Sequence, residues 1–337
     1  MPALLKIKDL FVSFHTFSGE VEAVRGVSLS LRAGEVLAIV GESGCGKSVL
    51  CRSVMKLLPQ NGWIKGGTIL ADGIDITNYT QRDMERLRGR LFSMVFQDPL
   101  TALNPTMTVG AQIAEAVQIH QPGLKKAAVR RRVLELMDLV DIAGGEERYG
   151  RYPHDFSGGM RQRAVMAAAL ASNPKILFAD EPTTALDVTI QAQILDLLRD
   201  IQVKMGTATV LVTHDLGVVA RAADRVAVMY AGKIVETGTV EDIFYAPQHP
   251  YTWGLLRALP SRAVVGAPLY TIPGMPPALI NPPKGDAFAC RNEYALAIDY
   301  QEPPPMFQIS ETHFAATWLL DKRAPKITPP LGGSYHE

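Results

Sequence analysis

The stretch Val36–Leu50, VLAIVGESGCGKSVL, constrains the chain more than any other. Five apolar residues, Val36 to Val40, read as a buried strand, and an octet from Gly41 to Ser48 breaks it. The apolar-rich run from Val49 to Leu58 then reads as a helix that stops before Pro59. Strand, octet and helix together satisfy the pattern G-x-x-x-x-G-K-[ST] in the context that the pattern requires. Gly41, Gly44 and Gly46 let the backbone curl until successive N–H groups point at one centre, a cradle for phosphate oxygens. Ser43, Cys45 and Val49 complete that cradle, and the helix aims its positive end at the same place. Lys47 reaches the outer phosphates, and the Ser48 hydroxyl suits Mg²⁺. The stretch implies a chain that binds a nucleoside triphosphate.

At 337 residues the chain suits a large domain with an appendage, and 47% hydrophobic content is ample for a core. Lys+Arg and Asp+Glu both number 34, so the whole chain carries no electrostatic footprint for nucleic acid. The basic cluster Lys125, Lys126, Arg130, Arg131 and Arg132 shares a helical stretch with Val129, Val133, Met137 and Val140, and reads as the solvated face of an amphipathic helix. Three cysteines, Cys45, Cys51 and Cys290, make no disulfide framework, which fits a reducing cytoplasm. The N-terminus lacks a long apolar segment with a cleavage site, and runs such as Ala164–Ala171 fall far short of a bilayer span of about 20 residues. The expected protein is soluble, or reaches a membrane only through a partner.

Residues 4–14 and 20–31 alternate apolar and polar as half-buried strands do, and Gly67–Ile76 reads as a hairpin around Asp72-Gly73. Short buried strands are expected at Leu91–Phe96, Lys175–Asp180, Thr209–Thr213 and Arg225–Tyr230. Helices are expected at Val109–His120, Lys125–Val140, Arg161–Ala171 and Val188–Ile201. Strands alternating with helices, interrupted by a helical insert, argue an α/β core with a mainly parallel sheet. Fifteen of the 23 prolines lie beyond residue 246. That segment cannot hold long helices or central strands, so it is a loop-rich extension packed on the main domain, or partly a linker.

Several chemistry-bearing residues fall at strand ends or helix starts, where ligands of parallel α/β sheets bind. The run Leu177–Glu181 delivers two adjacent carboxylates: Asp180 suits a Mg²⁺ shell shared with Ser48, and Glu181 suits a base that orients water for in-line attack on a γ-phosphate. Gln97 ends a strand and reaches metal or water. His214, after a strand, either hydrogen-bonds the γ-phosphate or simply caps the turn. Ser157-Gly158-Gly159 opens a helix; it is an ordinary N-cap or a second backbone anion site serving another subunit's nucleotide.

GESGCGKS, Gln97, FSGGMRQR, ILFADEP, ALD and the Thr213-His214-Asp215 triplet recur in this order in ATP-binding-cassette ATPases, and the sequence resembles that family over about residues 4–245. The resemblance assigns Walker A to 41–48, the Q-loop to Gln97, the signature to 157–161, Walker B to 176–181, the D-loop to Ala185–Asp187 and the switch histidine to His214. It implies a RecA-like nucleotide-binding domain over 1–245, with a mainly parallel sheet, an N-terminal antiparallel β subdomain and an α-helical insert over about 98–156. It also implies ATP with Mg²⁺, held by Ser48, Gln97 and Asp180, and a head-to-tail pair of cassettes. In that pair Ser157, Gly158, Gly159 and Asp187 face the partner's nucleotide. Phe156 stands where Leu is usual, and Phe17, with Phe14 as runner-up, is the aromatic expected to stack on adenine.

A narrower resemblance covers the rest: His249-Pro-Tyr-Thr252, Leu255-Leu256, Asn104-Pro105 and Ile272–Pro277 are similar to ATPase subunits of dipeptide, oligopeptide and nickel importers. It implies an extension over 246–337, a related but non-identical ATPase as partner, two membrane permease subunits and an extracellular peptide-binding protein. The place implied is the cytoplasmic side of the cell membrane, bound peripherally. Peptide import is the expected function, with a nickel importer or a soluble non-transport cassette ATPase as alternatives. Chromosome and DNA-repair cassettes interpose a long coiled coil, whereas 108 residues separate Ser48 from Ser157 here. Ribosome-associated cassettes usually come in tandem, and intact Glu181 and His214 argue against a non-catalytic one.

In that importer group the extension often carries four cysteines, patterned G-C-x-F-x-P-R-C-x-x-A-x-x-x-C with a fourth farther on, which hold an iron–sulfur cluster. Here Gly285–Ala295 keeps the frame, but Asp286, Asn292 and Asp299 stand at three cysteine positions and Thr317 at the fourth, while Cys290 falls where the pattern has Pro. One thiolate cannot do the work of four. No cluster is expected, with the extension held instead by packing and by polar contacts among the replaced residues.

Overall fold

Two long strands come first, β1 (Ala3–Thr16) and β2 (Gly19–Arg32), with Leu5, Ile7, Leu10 and Val12 buried on one and Val24, Val27 and Leu31 on the other. The computed structural model describes residues 3–184, 186–259 and 270–330. β3 (Val36–Val40) is buried at every position, as a strand covered on both faces should be. α1 (Lys47–Val54) ends short of Leu58. Lys56 turns to φ 52°, its N–H and that of Leu57 return to the carbonyls of Ser53 and Arg52, and this left-handed exit stops the helix before Pro59 can. β4 (Gly62–Ala71) turns into β5 (Ile74–Asp75) through Asp72-Gly73, both at positive φ as a tight hairpin requires.

Next come α2 (Gln81–Glu85) and β6 (Phe92–Val95), then the helical stretch α3 (Pro99–Ala102), α4 (Val109–His120), α5 (Lys126–Leu139), α6 (Gly145–Arg148) and α7 (Gly158–Leu170). β7 (Ile176–Asp180), α8 (Val188–Met205), β8 (Ala208–Thr213), α9 (Leu216–Ala222) and β9 (Arg225–Tyr230) restore the strand–helix alternation. β10 (Lys233–Thr239), α10 (Val240–Tyr245) and α11 (Pro250–Arg257) follow, and two-residue strands β11 (Phe307–Gln308) and β12 (Phe314–Ala315) come last.

The chain gathers into two compact units. One contains Leu31–Val36 and Ala71–Val212 together with the start of the chain. In it β6, β7 and β8 run parallel, with Phe92 opposite Ile176 and Ile176 opposite Ala208. Helices α3, α4 and α5 pack on α7. Val129, Val133 and Met137 of α5 are buried there while Lys125, Lys126, Arg130 and Arg131 are exposed, so the basic cluster is the wet face of that helix.

The other unit contains Lys6–Ser30, Leu37–Leu70 and the chain from Thr213 onward. Its strands lie in the order β11-β12-β10-β9-β3, with β3 parallel to β9 and the remaining pairs antiparallel, and a second sheet holds β2-β1-β4. β12 pairs with β10 through Ala315 opposite Glu236 and Phe314 opposite Thr237, so the described part of the Pro-rich extension packs onto the sheet rather than trailing as a linker. Glu236, fully buried, accepts from the N–H groups of Gln248 (2.6 Å) and His249 (3.1 Å) and pairs with His313 at 2.8 Å. Among the described residues no helix is long and apolar enough to cross a membrane.

Candidate nucleotide site

The apolar strand β3 delivers Gly41, and here the backbone admits no side chain: a Cβ at Gly41 would lie 2.0 Å from the Met229 carbonyl oxygen. Gly46, at φ 106°, would meet the Ala23 carbonyl at 2.4 Å. Both approaches require glycine, which explains the two glycines that the phosphate-loop pattern singles out. Gly46 is also the N-cap of α1 and supplies no side-chain cap, so the first turn of that helix presents its N–H groups to whatever ligand arrives. Ser43 and Gly44 form the exposed crest of the loop, and Ser48 and Val49 lie half-buried in the first turn of the helix. Lys47 is 4% exposed; its Nζ donates to the carbonyls of Gly41 (2.7 Å) and Glu42 (2.9 Å) and lies 3.8 Å from Cys45 Sγ. Burial pushes the Cys45 thiol up, so it stays a neutral lining group of the loop.

Glu42, which the sequence pattern leaves as an arbitrary residue, is held on both sides. Its N–H donates to the Tyr251 hydroxyl at 2.8 Å. Its carboxylate takes a two-pronged contact from Arg291, Nη1 to Oε2 at 2.7 Å and Nη2 to Oε1 at 2.9 Å. Tyr251 and Arg291 both belong to the Pro-rich extension, and Arg291 is 7% exposed. The Glu42 hydrogen bond raises the pKa of the Arg291 guanidinium further, and burial holds the Tyr251 hydroxyl protonated. Sequence reasoning missed these residues. The signals were positional: Tyr251 lies within His249-Pro-Tyr-Thr252, and Arg291 stands at the Arg of the frame G-C-x-F-x-P-R-C.

In the other unit, β7 ends on Asp180, fully buried, and Glu181 follows at φ 48°, an unusual left-handed conformation for a non-glycine residue. The Glu181 N–H is tied to the Val212 carbonyl at 2.9 Å. Its Oε2 accepts from Gln97 Nε2 at 3.0 Å and from Thr184 Oγ1 at 2.9 Å. The structure therefore brings Gln97 and Glu181 together, where the expected partner of Gln97 is a metal or a water. Asp180 and Gln97 offer a carboxylate and an amide oxygen, hard donors of the kind that Mg²⁺ takes.

Ser157 caps α7, accepting from Met160 N–H at 3.4 Å, and is itself exposed beside exposed Gly158. Gly159 is buried, and a Cβ there would meet Ile190 Cγ2 at 2.6 Å. Asp187 caps α8 by accepting from Ile190 N–H at 3.0 Å. Ala185 lies outside the described residues. His214 is exposed, and the capping role at α9 is filled by its neighbour Asp215, which accepts from Gly217 N–H at 2.7 Å. Phe17 is fully exposed in the turn between β1 and β2, whereas Phe14 packs against Gly62.

Each replaced cysteine position of the extension caps its own turn. Asp286, Asn292, Asp299 and Thr317 accept from the N–H groups of Phe288 (3.0 Å), Tyr294 (3.0 Å), Leu296 (2.6 Å) and Leu319 (3.3 Å). Burial raises the Asp286 carboxyl to about 6, and Asp299 adds to the rise. Cys290 is exposed. This donor set does not fit an iron–sulfur cluster.

Residues 24–184 match the family described as ABC transporter, and residues 235–298 match the family described as oligopeptide/dipeptide transporter, C-terminal region. The chain is 57% identical over 329 residues to the oligopeptide transport ATP-binding protein OppD of Bacillus subtilis (strain 168), covering 97% of this chain and 92% of that protein. It is 56% identical over 326 residues to the dipeptide transport ATP-binding protein DppD of Lactococcus lactis subsp. cremoris (strain MG1363), covering 97% and 93%. Among solved structures, the dimeric bacterial ABC transporter cassette MJ0796 superposes with a TM-score of 0.63 at 27% identity, over 70% of this chain and 98% of that one. With relatives of this identity matched along nearly its whole length, the chain belongs to the ABC transporter family of ATP-hydrolysing subunits.

Proposed function

We propose that the protein is the ATPase subunit that powers peptide import through a membrane ABC transporter, converting ATP and water to ADP and phosphate. The observation that carries this reading is the packed extension: its residues Tyr251 and Arg291 close on the phosphate loop, in a chain whose C-terminal region matches the oligopeptide/dipeptide family. Gly41, Ser43, Gly44, Cys45, Gly46, Lys47, Ser48 and Val49 cradle the phosphates. Lys47 exchanges its present carbonyl partners for the outer phosphate oxygens. Glu181, steered by Gln97 and Thr184, orients the attacking water and takes its proton. Ser48, Asp180 and Gln97 would hold Mg²⁺, and the charge neutralisation that such an ion supplies would fall on the phosphates they face. His214 donates to the γ-phosphate, and Phe17 stacks on adenine.

The reading extends to the assembly. Ser157, Gly158, Gly159 and Asp187 serve the nucleotide of a second, homologous ATPase, as in a head-to-tail cassette pair. The cassette spans 1–245, with the helical insert 98–156 facing two permease subunits, and 246–337 forms the extension. The subunit works at the cytoplasmic side of the membrane, beside permeases fed by an extracellular peptide-binding protein. No nucleic acid takes part, and the extension holds no iron–sulfur cluster.

The test is purification of the native membrane complex. The expected result is two permeases, a second ATPase and turnover that rises when peptide-loaded binding protein is added. Turnover indifferent to peptide but raised by a nickel-loaded binding protein would overturn the cargo assignment.

A further inference from the structure

The phosphate loop contains a negative charge in its second position. Glu42 would repel the phosphates of an incoming nucleotide if it stood alone. It does not stand alone: Arg291 occupies both carboxylate oxygens in the two-pronged geometry that makes guanidinium–carboxylate pairs strong and directional. Arg291 arrives already aimed. Its Nε donates to the Pro273 carbonyl at 2.8 Å, its Nη1 also reaches the Tyr230 hydroxyl at 3.2 Å, and its side chain is 4% exposed.

The backbone of the same residue is fixed as well. Tyr251, fully buried, accepts the Glu42 N–H, and its ring packs on Tyr230 and Phe288 at centroid distances of 4.6 and 5.3 Å. The Glu42 carbonyl meanwhile accepts from Lys47. One residue is thus gripped at its N–H, its carbonyl and its side chain, and two of the three grips come from the extension. We infer that Arg291 and Tyr251 are positioning residues that set the nucleotide affinity of the phosphate loop, Arg291 by cancelling the Glu42 charge and Tyr251 by fixing its peptide. The inference rests on the nucleotide reading of that loop. It makes the extension a lever on ATP binding, acting through a loop whose glycines would otherwise sample many conformations.

The test is the dissociation constant of the full-length chain for a fluorescent ATP analogue, with folding checked by circular dichroism. Arg291→Ala should weaken binding about tenfold, because the Glu42 carboxylate would then face the phosphates uncompensated. Adding Glu42→Gln to Arg291→Ala should recover most of that loss, because the uncompensated charge is gone. Arg291→Lys should fall between. A purely structural Arg291 would give no recovery, and a double variant as weak as the single one overturns the inference, as does Arg291→Ala binding like wild type. Should Arg291→Ala not fold, Tyr251→Phe keeps the ring and deletes only the acceptor; it should weaken binding a few-fold, and unchanged affinity overturns the inference. Wild-type protein that binds no nucleotide would overturn the site reading itself and the inference with it.

Discussion

Gln97 and Glu181, 84 positions apart in the chain, meet through a hydrogen bond of 3.0 Å from amide nitrogen to carboxylate. The second residue past β6 therefore steers the carboxylate that follows β7, and Thr184 adds a second donor on the same oxygen. A carboxylate held at one oxygen by two donors has a fixed orientation, which a water-positioning base needs.

Glu181→Gln should keep ATP binding and lose hydrolysis by about 10²–10⁴, the usual worth of a general base. Steady-state turnover of the assembled complex, set beside a nucleotide titration, measures both. Turnover at the wild-type level would remove Glu181 from the mechanism.

Lys47→Ala should raise the dissociation constant for ATP tenfold or more, since the charge that reaches the outer phosphates is gone. The same titration reads it, and unchanged affinity would count against the cradle.

Gly158→Asp should separate the two composite sites. A Cβ at Gly158 meets only Leu186, at 3.4 Å, so the fold tolerates the change. The carboxylate would then oppose the partner's γ-phosphate. The isolated variant should bind ATP normally while the assembled complex loses turnover; loss of binding by the folded, isolated variant would refute action in trans. Gly159→Ala is the contrast: with Ile190 at 2.6 Å it should cost about 1–3 kcal/mol of stability.

His249 carries a pH dependence. Full burial lowers its pKa from 6.5 to about 3, so the neutral ring is the form that the fold accepts. A depressed histidine contributes stability that is present above 6.5 and drains away as pH falls toward 3. By pH about 4 the loss should be on the order of 2–3 kcal/mol. Asp286, raised to about 6, works in the opposite sense: its neutral form favours the fold at low pH, and that support is lost as pH rises through about 6. The informative comparison is therefore wild type against His249→Asn, which keeps a cap for the Tyr251 N–H. The difference between their melting temperatures should change sharply between pH 6.5 and 4, and a constant difference would contradict the assignment.

Protein purified without oxygen should be colourless. Stoichiometric iron and sulfide would show that the Asp286, Asn292, Asp299 and Thr317 positions do not exclude a cluster.

What the sequence made legible was local. Gly41 to Ser48 announces itself because all its constraints fall within eight residues, and Ser157 reads as a helix start because a cap lies next to what it caps. Val109–His120 appears in the structure with the bounds that its periodicity implies. The strand Lys233–Thr239 escaped notice because Glu236, a buried carboxylate, interrupts its apolar pattern. Its charge is explained only by His313 and the Gln248 and His249 N–H groups, which come from other elements. β11 and β12 are two residues each, too short to show a period. The Glu42–Arg291 contact spans 249 positions, and no local pattern encodes it.

The pairing of β12 with β10 has a consequence for the chain's behaviour in a crowded cell. A strand whose outer N–H and C=O groups face nothing is a template for any other chain that offers a strand. Phe314 and Ala315 occupy that position on Thr237 and Glu236, and beyond them β11 contributes only Phe307 and Gln308. The middle of β10 is thereby covered, and the strand that lies outside it is only two residues long. A version of the protein ended at Tyr245 would lose the Tyr251 and Arg291 grips on Glu42 and, with β10 uncovered, would be prone to aggregate, joining copies of itself along β10.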